Sequence, residues 1–116
     1  MVEAYNADPL CNYTFTLNGY LALLYLVNTA YSPRGWQVKN PGLPVLFVSG
    51  SEDACRLSHR QFLQAVESMR SAGYRRVSWR IYEGMRHEIL NETGRETVYR
   101  EVAEFFGARL EGESEA

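Results

Sequence analysis

Residues 44–50 read PVLFVSG, a short apolar run that ends in glycine. Apolar runs of this length, with no alternation of polar residues, are typical of strands buried on both faces of a parallel sheet. Residues 76–82 read RVSWRIY, in which apolar and polar residues alternate. This period of two predicts a second strand, less buried than the first and nearer a sheet edge. The two segments together favour an α/β fold.

Helical patterns surround these two strands. Between them, Ser58 followed by Gln61 predicts a capped helix start, and Gly73 suits the position just past the helix end. After the second strand, Thr93 and Glu96 predict another capped start. The helix that follows has apolar residues at steps of three and four, at Val98, Val102, Phe105, Phe106 and Leu110.

The N-terminal part of the chain contains the most apolar helix. This helix is predicted to begin at Thr14 or Thr16, whose hydroxyl can cap the first free amides, and to run to about Ala30. Its apolar residues extend almost round the helix: Leu17, Tyr20, Leu21, Leu23, Leu24, Tyr25, Leu26 and Val27. A helix that is apolar on most sides needs cover on most sides.

The order helix, strand, helix, strand, helix implies a parallel crossover between the two strands. Two parallel strands alone make a poor sheet, because independent stability usually needs three or more. The first strand has the pattern of a central strand and requires a neighbour on its other side. We therefore expect the C-terminal part of a larger doubly wound sheet.

Composition excludes several classes of function. The chain is 46% hydrophobic and 22% charged, with a net charge of −2, whereas a nucleic-acid surface needs a basic face. The apolar segment from Leu17 to Val27 is too short for a membrane span. Cys11 and Cys55 lack CxxC spacing, which favours two reduced thiols. We expect a cytoplasmic protein with no nucleic-acid partner, membrane span or cofactor.

Two polar residues follow the two strands. Asp53 comes after the first strand and His87 after the second, 34 residues further on, about the length of one strand–helix–strand unit. Parallel strands end at the same sheet edge, where open α/β sheets place their ligands. A carboxylate there can accept the imidazole N–H and stabilise the imidazolium. On spacing alone, an aspartate that follows a strand, as Asp53 does, is more often a turn residue than a catalytic one.

Other candidates are weaker. Cys55 and His59 are four residues apart and can share a helix face, but two ligands are too few, so no metal site is predicted. Cys55 as a thiol nucleophile beside His87 is less favoured than Cys55 as a small buried residue. Glu88 is interpreted as a structural residue, in a hydrogen bond or a salt bridge, rather than a second acid.

Residues 82–92 read YEGMRHEILNE, and residues 49–53 read SGSED. Each follows a strand, and together they resemble the C-terminal end of α/β-hydrolase serine hydrolases, most closely the monoacylglycerol lipase and lysophospholipase-like branch. Residues 8–16, DPLCNYTFT, are similar to the segment that returns from the lid in bacterial members. The resemblance spans roughly residues 5–107, and its specific part is residues 86–92.

The resemblance implies that Asp53 is the triad acid and His87 the general base. In this fold the nucleophilic serine lies on a Gly-x-Ser-x-Gly elbow earlier in the chain, and that motif is absent here. The family often has proline after the acid, where this chain has Ala54. The chain is therefore expected to be the C-terminal portion of a carboxylic-ester hydrolase, inactive alone, whose partner is the missing N-terminal hydrolase portion. Its substrate in the complete enzyme would be a monoacylglycerol, a lysophospholipid or a similar ester.

The same resemblance divides the chain into parts. Residues 1–43 would be the lid-return segment and a helix, residues 44–110 the strand–helix–strand–helix of the hydrolase, and residues 111–116 a frayed acidic tail. The alternative is a non-catalytic small α/β module that retains Asp53 and His87 by descent. Such a module would bury its strand edge and apolar helix between copies. Self-association is expected under either hypothesis whenever the missing hydrolase portion is absent.

Overall fold

The computed structural model describes residues 2–11, 13–32 and 34–113. The helices are α1 (Val2–Ala7), α2 (Leu17–Ala30), α3 (His59–Ala72) and α4 (Arg95–Glu113), and the strands are β1 (Pro44–Gly50) and β2 (Arg76–Tyr82). A single 3₁₀ turn covers Ala54–Arg56. The chain divides into two compact units, with the boundary between Trp36 and Gln37. Residues 114–116 of the predicted tail lie outside the described residues.

Helix α2 belongs to the first unit and confirms the helix predicted there. It is capped by Thr16, whose Oγ1 accepts the Gly19 N–H at 3.1 Å. None of its residues is buried, and Leu21 and Leu24 are more than half exposed. Among the described residues, no helix is both long enough and apolar enough to cross a membrane.

Strands β1 and β2 form the parallel sheet that the sequence predicts. They pair in register from Pro44 opposite Arg76 to Gly50 opposite Tyr82, and α3 connects them. The α/β class and the parallel crossover are confirmed. Because the register ends on Gly50 and Tyr82, the two loops that follow begin side by side.

The predicted burial of β1 on both faces is wrong for the described chain. Residues 44–48 are only partly buried, and burial is complete only at Ser49 and Gly50. Among the described residues β1 pairs with β2 alone, so its other edge has no strand beside it. Apolar side chains that suit a central strand therefore stay partly open to solvent.

Two small clusters of buried side chains hold the second unit together. The α3 cluster consists of Phe62, Val66 and Val77 and lies between α3 and β2. The α4 cluster consists of Tyr82, Ile89 and Val98 and joins the end of β2, the following loop and α4. The α4 cluster matters for function because it holds both ends of the loop that contains His87.

The helix ends agree with the sequence in part. Ser58 caps α3, accepting the Gln61 N–H at 3.2 Å, and Gly73 ends it at a φ of 120°. The Gln61 side chain does not complete the predicted capping box: it accepts the Ser58 hydroxyl, while the Ser58 N–H donates to Arg56. Helix α4 begins at Arg95, two residues after the predicted cap. Its apolar face is covered at Val98 but exposed at Phe106 and Leu110.

Candidate active site

Two loops leave the same edge of the sheet and are joined by main-chain hydrogen bonds. We call residues 51–58 the acid loop and residues 83–94 the histidine loop. The Ser51 N–H donates to the Tyr82 carbonyl and the Glu52 N–H to the Met85 carbonyl, each at 2.9 Å. The Gly84 N–H donates to Ser51 Oγ at 2.8 Å. These bonds hold the loops at a fixed separation.

Gly50 permits this close approach. A methyl group at Gly50 would overlap the main-chain carbonyl oxygens of Met85 and Arg86. Glycine is the residue that lets one backbone pass this near another. The histidine loop therefore runs directly across the end of β1.

The histidine loop has its own internal bonds. The Arg86 N–H donates to Glu92 Oε1 at 3.0 Å, and the Tyr99 hydroxyl donates to the Leu90 carbonyl at 2.6 Å. Ile89 is buried in the α4 cluster. The Glu88 carboxylate accepts the Asn91 side-chain amide at 3.0 Å, which agrees with the structural role favoured for it. Hydrogen bonds on both sides of His87 thus hold its backbone in place.

Asp53 lies at the centre of the hydrogen bonds of the site. Its Oδ1 accepts the Cys55 N–H at 2.8 Å, and the Ser49 hydroxyl donates to Oδ2 at 3.3 Å. His87 Nδ1 lies 3.1 Å from Oδ1 and 3.2 Å from Oδ2. The structure therefore brings together the two residues that the sequence selected.

The pKa of Asp53 reflects opposing effects. Burial raises this pKa. It is lowered by a larger amount through the hydrogen bonds from the Cys55 N–H and from His87, the charge of His87 and the hydrogen bond from the Ser49 hydroxyl. The net result is a pKa below the ordinary value of 3.8. Asp53 is therefore a carboxylate at neutral pH and accepts the hydrogen bond from His87.

His87 differs from Asp53 in its access to solvent. The His87 side chain is 67% exposed and the Asp53 side chain 10%. A carboxylate facing Nδ1 favours the tautomer with the proton on Nδ1, which leaves a lone pair on Nε2. Among the described residues, Nε2 makes no hydrogen bond. The imidazole can therefore accept a proton from a group that approaches from solvent.

The Cys55 side chain differs from the prediction in its burial and in its neighbours. It is exposed rather than buried, and its Sγ lies within 4.8 Å of ligand atoms of both Asp53 and His87. His59 is not part of this group; its ring contacts the Trp79 ring, with centroids 5.7 Å apart. The residue beside Cys55 is thus His87, which comes from the next loop.

Two serines and a glutamate that support the site are not evident from the sequence. The Ser49 hydroxyl donates to Asp53, and the Ser51 hydroxyl accepts from the histidine loop. Glu92 is the last residue of the 86–92 motif, and its carboxylate accepts the Arg86 N–H within the histidine loop. The feature of the sequence that could have indicated the role of the serines is the Ser-Gly-Ser run at residues 49–51, at the end of β1.

The Asp53–His87 contact predicts a measurable change in acidity. Replacing His87 with alanine removes one hydrogen bond and one positive charge, so we expect the pKa of Asp53 to rise. ¹³C NMR of the carboxyl group during a pH titration measures it. His59→Ala is the matched control, because His59 is not among the groups that shift the pKa of Asp53, and it should leave that pKa unchanged. An equal rise in both variants would contradict the contact.

The same shift makes stability depend on pH. A depressed pKa stabilises the fold above the unfolded value of about 3.9, and this contribution is lost as pH falls through the folded-state pKa. His87→Ala should therefore lower the unfolding free energy more at pH 6 than at pH 2.

A comparison with protein families matches residues 1–94 to the family model described as "Serine aminopeptidase, S33" (Hydrolase_4). The matched span includes Asp53, His87 and both strands. A search of curated proteins found no match.

Proposed function

Because the chain belongs to the serine aminopeptidase S33 family of α/β hydrolases, we propose that it supplies the acid and the histidine of a serine-hydrolase triad. The observation that supports this is the contact between His87 Nδ1 and Asp53, at 3.1 Å. The nucleophilic serine is proposed to come from a polypeptide segment with a Gly-x-Ser-x-Gly elbow, since this chain has none.

In the proposed reaction, His87 Nε2 takes the proton of the serine hydroxyl as its oxygen attacks the substrate carbonyl. The imidazolium then gives that proton to the leaving alcohol, and an acyl-enzyme remains. Water repeats the sequence: His87 takes its proton, the acyl bond to serine breaks, and the proton returns to the serine oxygen. Asp53 stays ionised and stabilises each imidazolium.

The proposed substrates are carboxylic esters of the monoacylglycerol or lysophospholipid kind. Support for them comes from the resemblance of residues 82–92 to that branch. The description of the matched family names a peptidase, so the competing substrate is an amide with a free N-terminal amine. Parallel assays of the assembled hydrolase, which includes the nucleophilic serine, on a monoacylglycerol and on an aminoacyl p-nitroanilide separate the two substrate classes. Faster turnover of the anilide would overturn the ester proposal and leave the triad proposal intact.

The isolated chain should not hydrolyse esters. Without a nucleophile no acyl-enzyme can form, so turnover of a short-chain p-nitrophenyl ester should equal that of the His87→Ala variant. Release of p-nitrophenol under excess substrate measures it. Robust turnover by the isolated chain that disappears in His87→Ala would contradict the proposed division of the triad.

A second candidate is a non-catalytic module that self-associates. The observation in its favour is α2, which has no buried residue and a nearly continuous apolar surface. Exposed apolar surfaces of this extent usually mark interfaces.

Self-association through α2 has its own test. We expect sedimentation velocity to show oligomers, and Leu24→Lys to shift them toward monomer by placing a charge within the interface. Leu57→Lys is the matched control, since Leu57 is also exposed but lies in the acid loop. A monomer at all concentrations would exclude this role for α2.

A further inference from the structure

Three side chains with metal-binding atoms meet at the ends of β1 and β2. The carboxylate of Asp53, the thiol of Cys55 and the imidazole of His87 each have one ligand atom within 4.8 Å of the others. They come from both loops, so the group exists only in the folded chain. The sequence predicts no metal site, because the ligand that lies near Cys55 along the chain is His59.

The Asp53–His87 distance already suits a metal. Two nitrogen or oxygen ligands of a tetrahedral zinc ion, each about 2.0–2.2 Å from it, lie about 3.3 Å apart. His87 Nδ1 is 3.1 and 3.2 Å from the two Asp53 oxygens. A zinc ion can therefore bridge these residues with little movement of either.

Cys55 needs a small adjustment. A thiolate bound to zinc lies about 3.6 Å from a nitrogen ligand on the same ion, because the Zn–S bond is about 2.3 Å. Cys55 is exposed, so its side chain can rotate about Cα–Cβ without displacing packed neighbours. Its backbone stays in place through the bond from its N–H to Asp53 Oδ1.

The chemistry of the three donors selects the ion. One sulfur, one nitrogen and one oxygen suit zinc, whereas magnesium and calcium prefer oxygen alone. The Ser49 hydroxyl, which donates to Asp53 Oδ2, is the kind of outer hydrogen bond that orients a ligating carboxylate. Because most of the His87 side chain is exposed, water can reach an ion bound there and supply a fourth ligand.

We propose that Asp53, Cys55 and His87 form a Zn²⁺ site that inhibits the hydrolase. On binding, the Cys55 thiol releases its proton to solvent, and Nδ1 of His87 binds the ion in place of a proton. The imidazole proton then lies on Nε2, so the ring can no longer accept a proton there. The two anionic ligands balance the charge of the ion. Inhibition rests on the proposed function, but metal binding does not.

Metal binding is measured on the purified chain. We expect one Zn²⁺ per chain in competition with a chromophoric chelator, and a Co²⁺ complex with a thiolate charge-transfer band. Cys55→Ala should lose the band and weaken Zn²⁺ binding at least about tenfold, as disturbed metal sites do. Cys11→Ala is the matched control, because it removes the other thiol and should keep both signals. Far-UV circular dichroism shows that each variant is folded.

The outcomes separate the two proposals. Unchanged Zn²⁺ affinity in Cys55→Ala, or loss of the Co²⁺ band in Cys11→Ala alone, would overturn the metal site and leave the proposed triad untouched.

In an active assembled hydrolase, Zn²⁺ should reduce turnover and a chelator should restore it. Binding through Cys55 with full activity retained would overturn the inhibitory role. An assembly that never shows activity despite intact Zn²⁺ binding would instead count against the proposed function.

Discussion

His87→Ala is expected to lower kcat/KM at least about 10³-fold in a hydrolase assembled from this chain and a polypeptide that carries the nucleophilic serine. Without the imidazole, the serine hydroxyl has no base and the leaving alcohol no acid. The loss should lie in kcat, because the imidazole contributes to the transition state rather than to substrate binding. Steady-state hydrolysis of a p-nitrophenyl ester measures both constants.

Two further variants are compared with His87→Ala. Asp53→Asn should also lower kcat, by roughly 10²–10⁴-fold, because an amide can hold the wrong imidazole tautomer. His59→Ala should leave both constants unchanged, since His59 contacts Trp79 and Arg56 rather than Asp53 or His87. Activity that survives His87→Ala while falling in His59→Ala would reverse the assignment of the base.

Gly50→Ala is expected to have the largest effect on stability. The added methyl would overlap the carbonyl oxygens of Met85 and Arg86, and moving these breaks the Glu52–Met85 hydrogen bond. We expect the unfolding free energy to fall by about 3 kcal/mol or more, at the upper end for overpacking because main chain must move. Urea unfolding followed by circular dichroism measures it. The histidine loop should also move away from Asp53.

Gly107→Ala is the matched control. Gly107 lies inside α4, and a methyl there meets no atom within 4 Å. Alanine is the better helix former, so this variant should stabilise the chain by about 0.5–1 kcal/mol. Destabilisation of similar size at both glycines would show that the close approach at Gly50 has no special importance.

The sequence predicts the fold and the central pair of the site well. Strand period and apolar runs locate β1 and β2 to the residue, because those patterns depend on local backbone geometry. The parallel crossover follows from the helix between them. Since parallel strands end together, the positions of Asp53 and His87 in the chain are enough to predict their proximity.

Other features depend on surroundings that a local pattern does not contain. β1 has the sequence of a central strand, but its burial is set by neighbours, and among the described residues it pairs with β2 alone. Cys55 is exposed beside His87 because a 3₁₀ turn follows Asp53 and presents the next residues outward. The roles of Ser49 and Ser51 arise from contacts between two loops, which no periodicity within either loop reveals.

The joining of the two loops through main-chain groups has a consequence for evolution. Glu52 bonds to the histidine loop through its backbone amide, and the backbone amide of Arg86 donates to Glu92 within that loop, while the side chains of Glu52 and Arg86 are exposed. Mutations at these positions can change charge and shape at the rim of the site without changing the distance between Asp53 and His87. Such an arrangement allows selectivity to diverge among descendants while the acid–base pair stays constant.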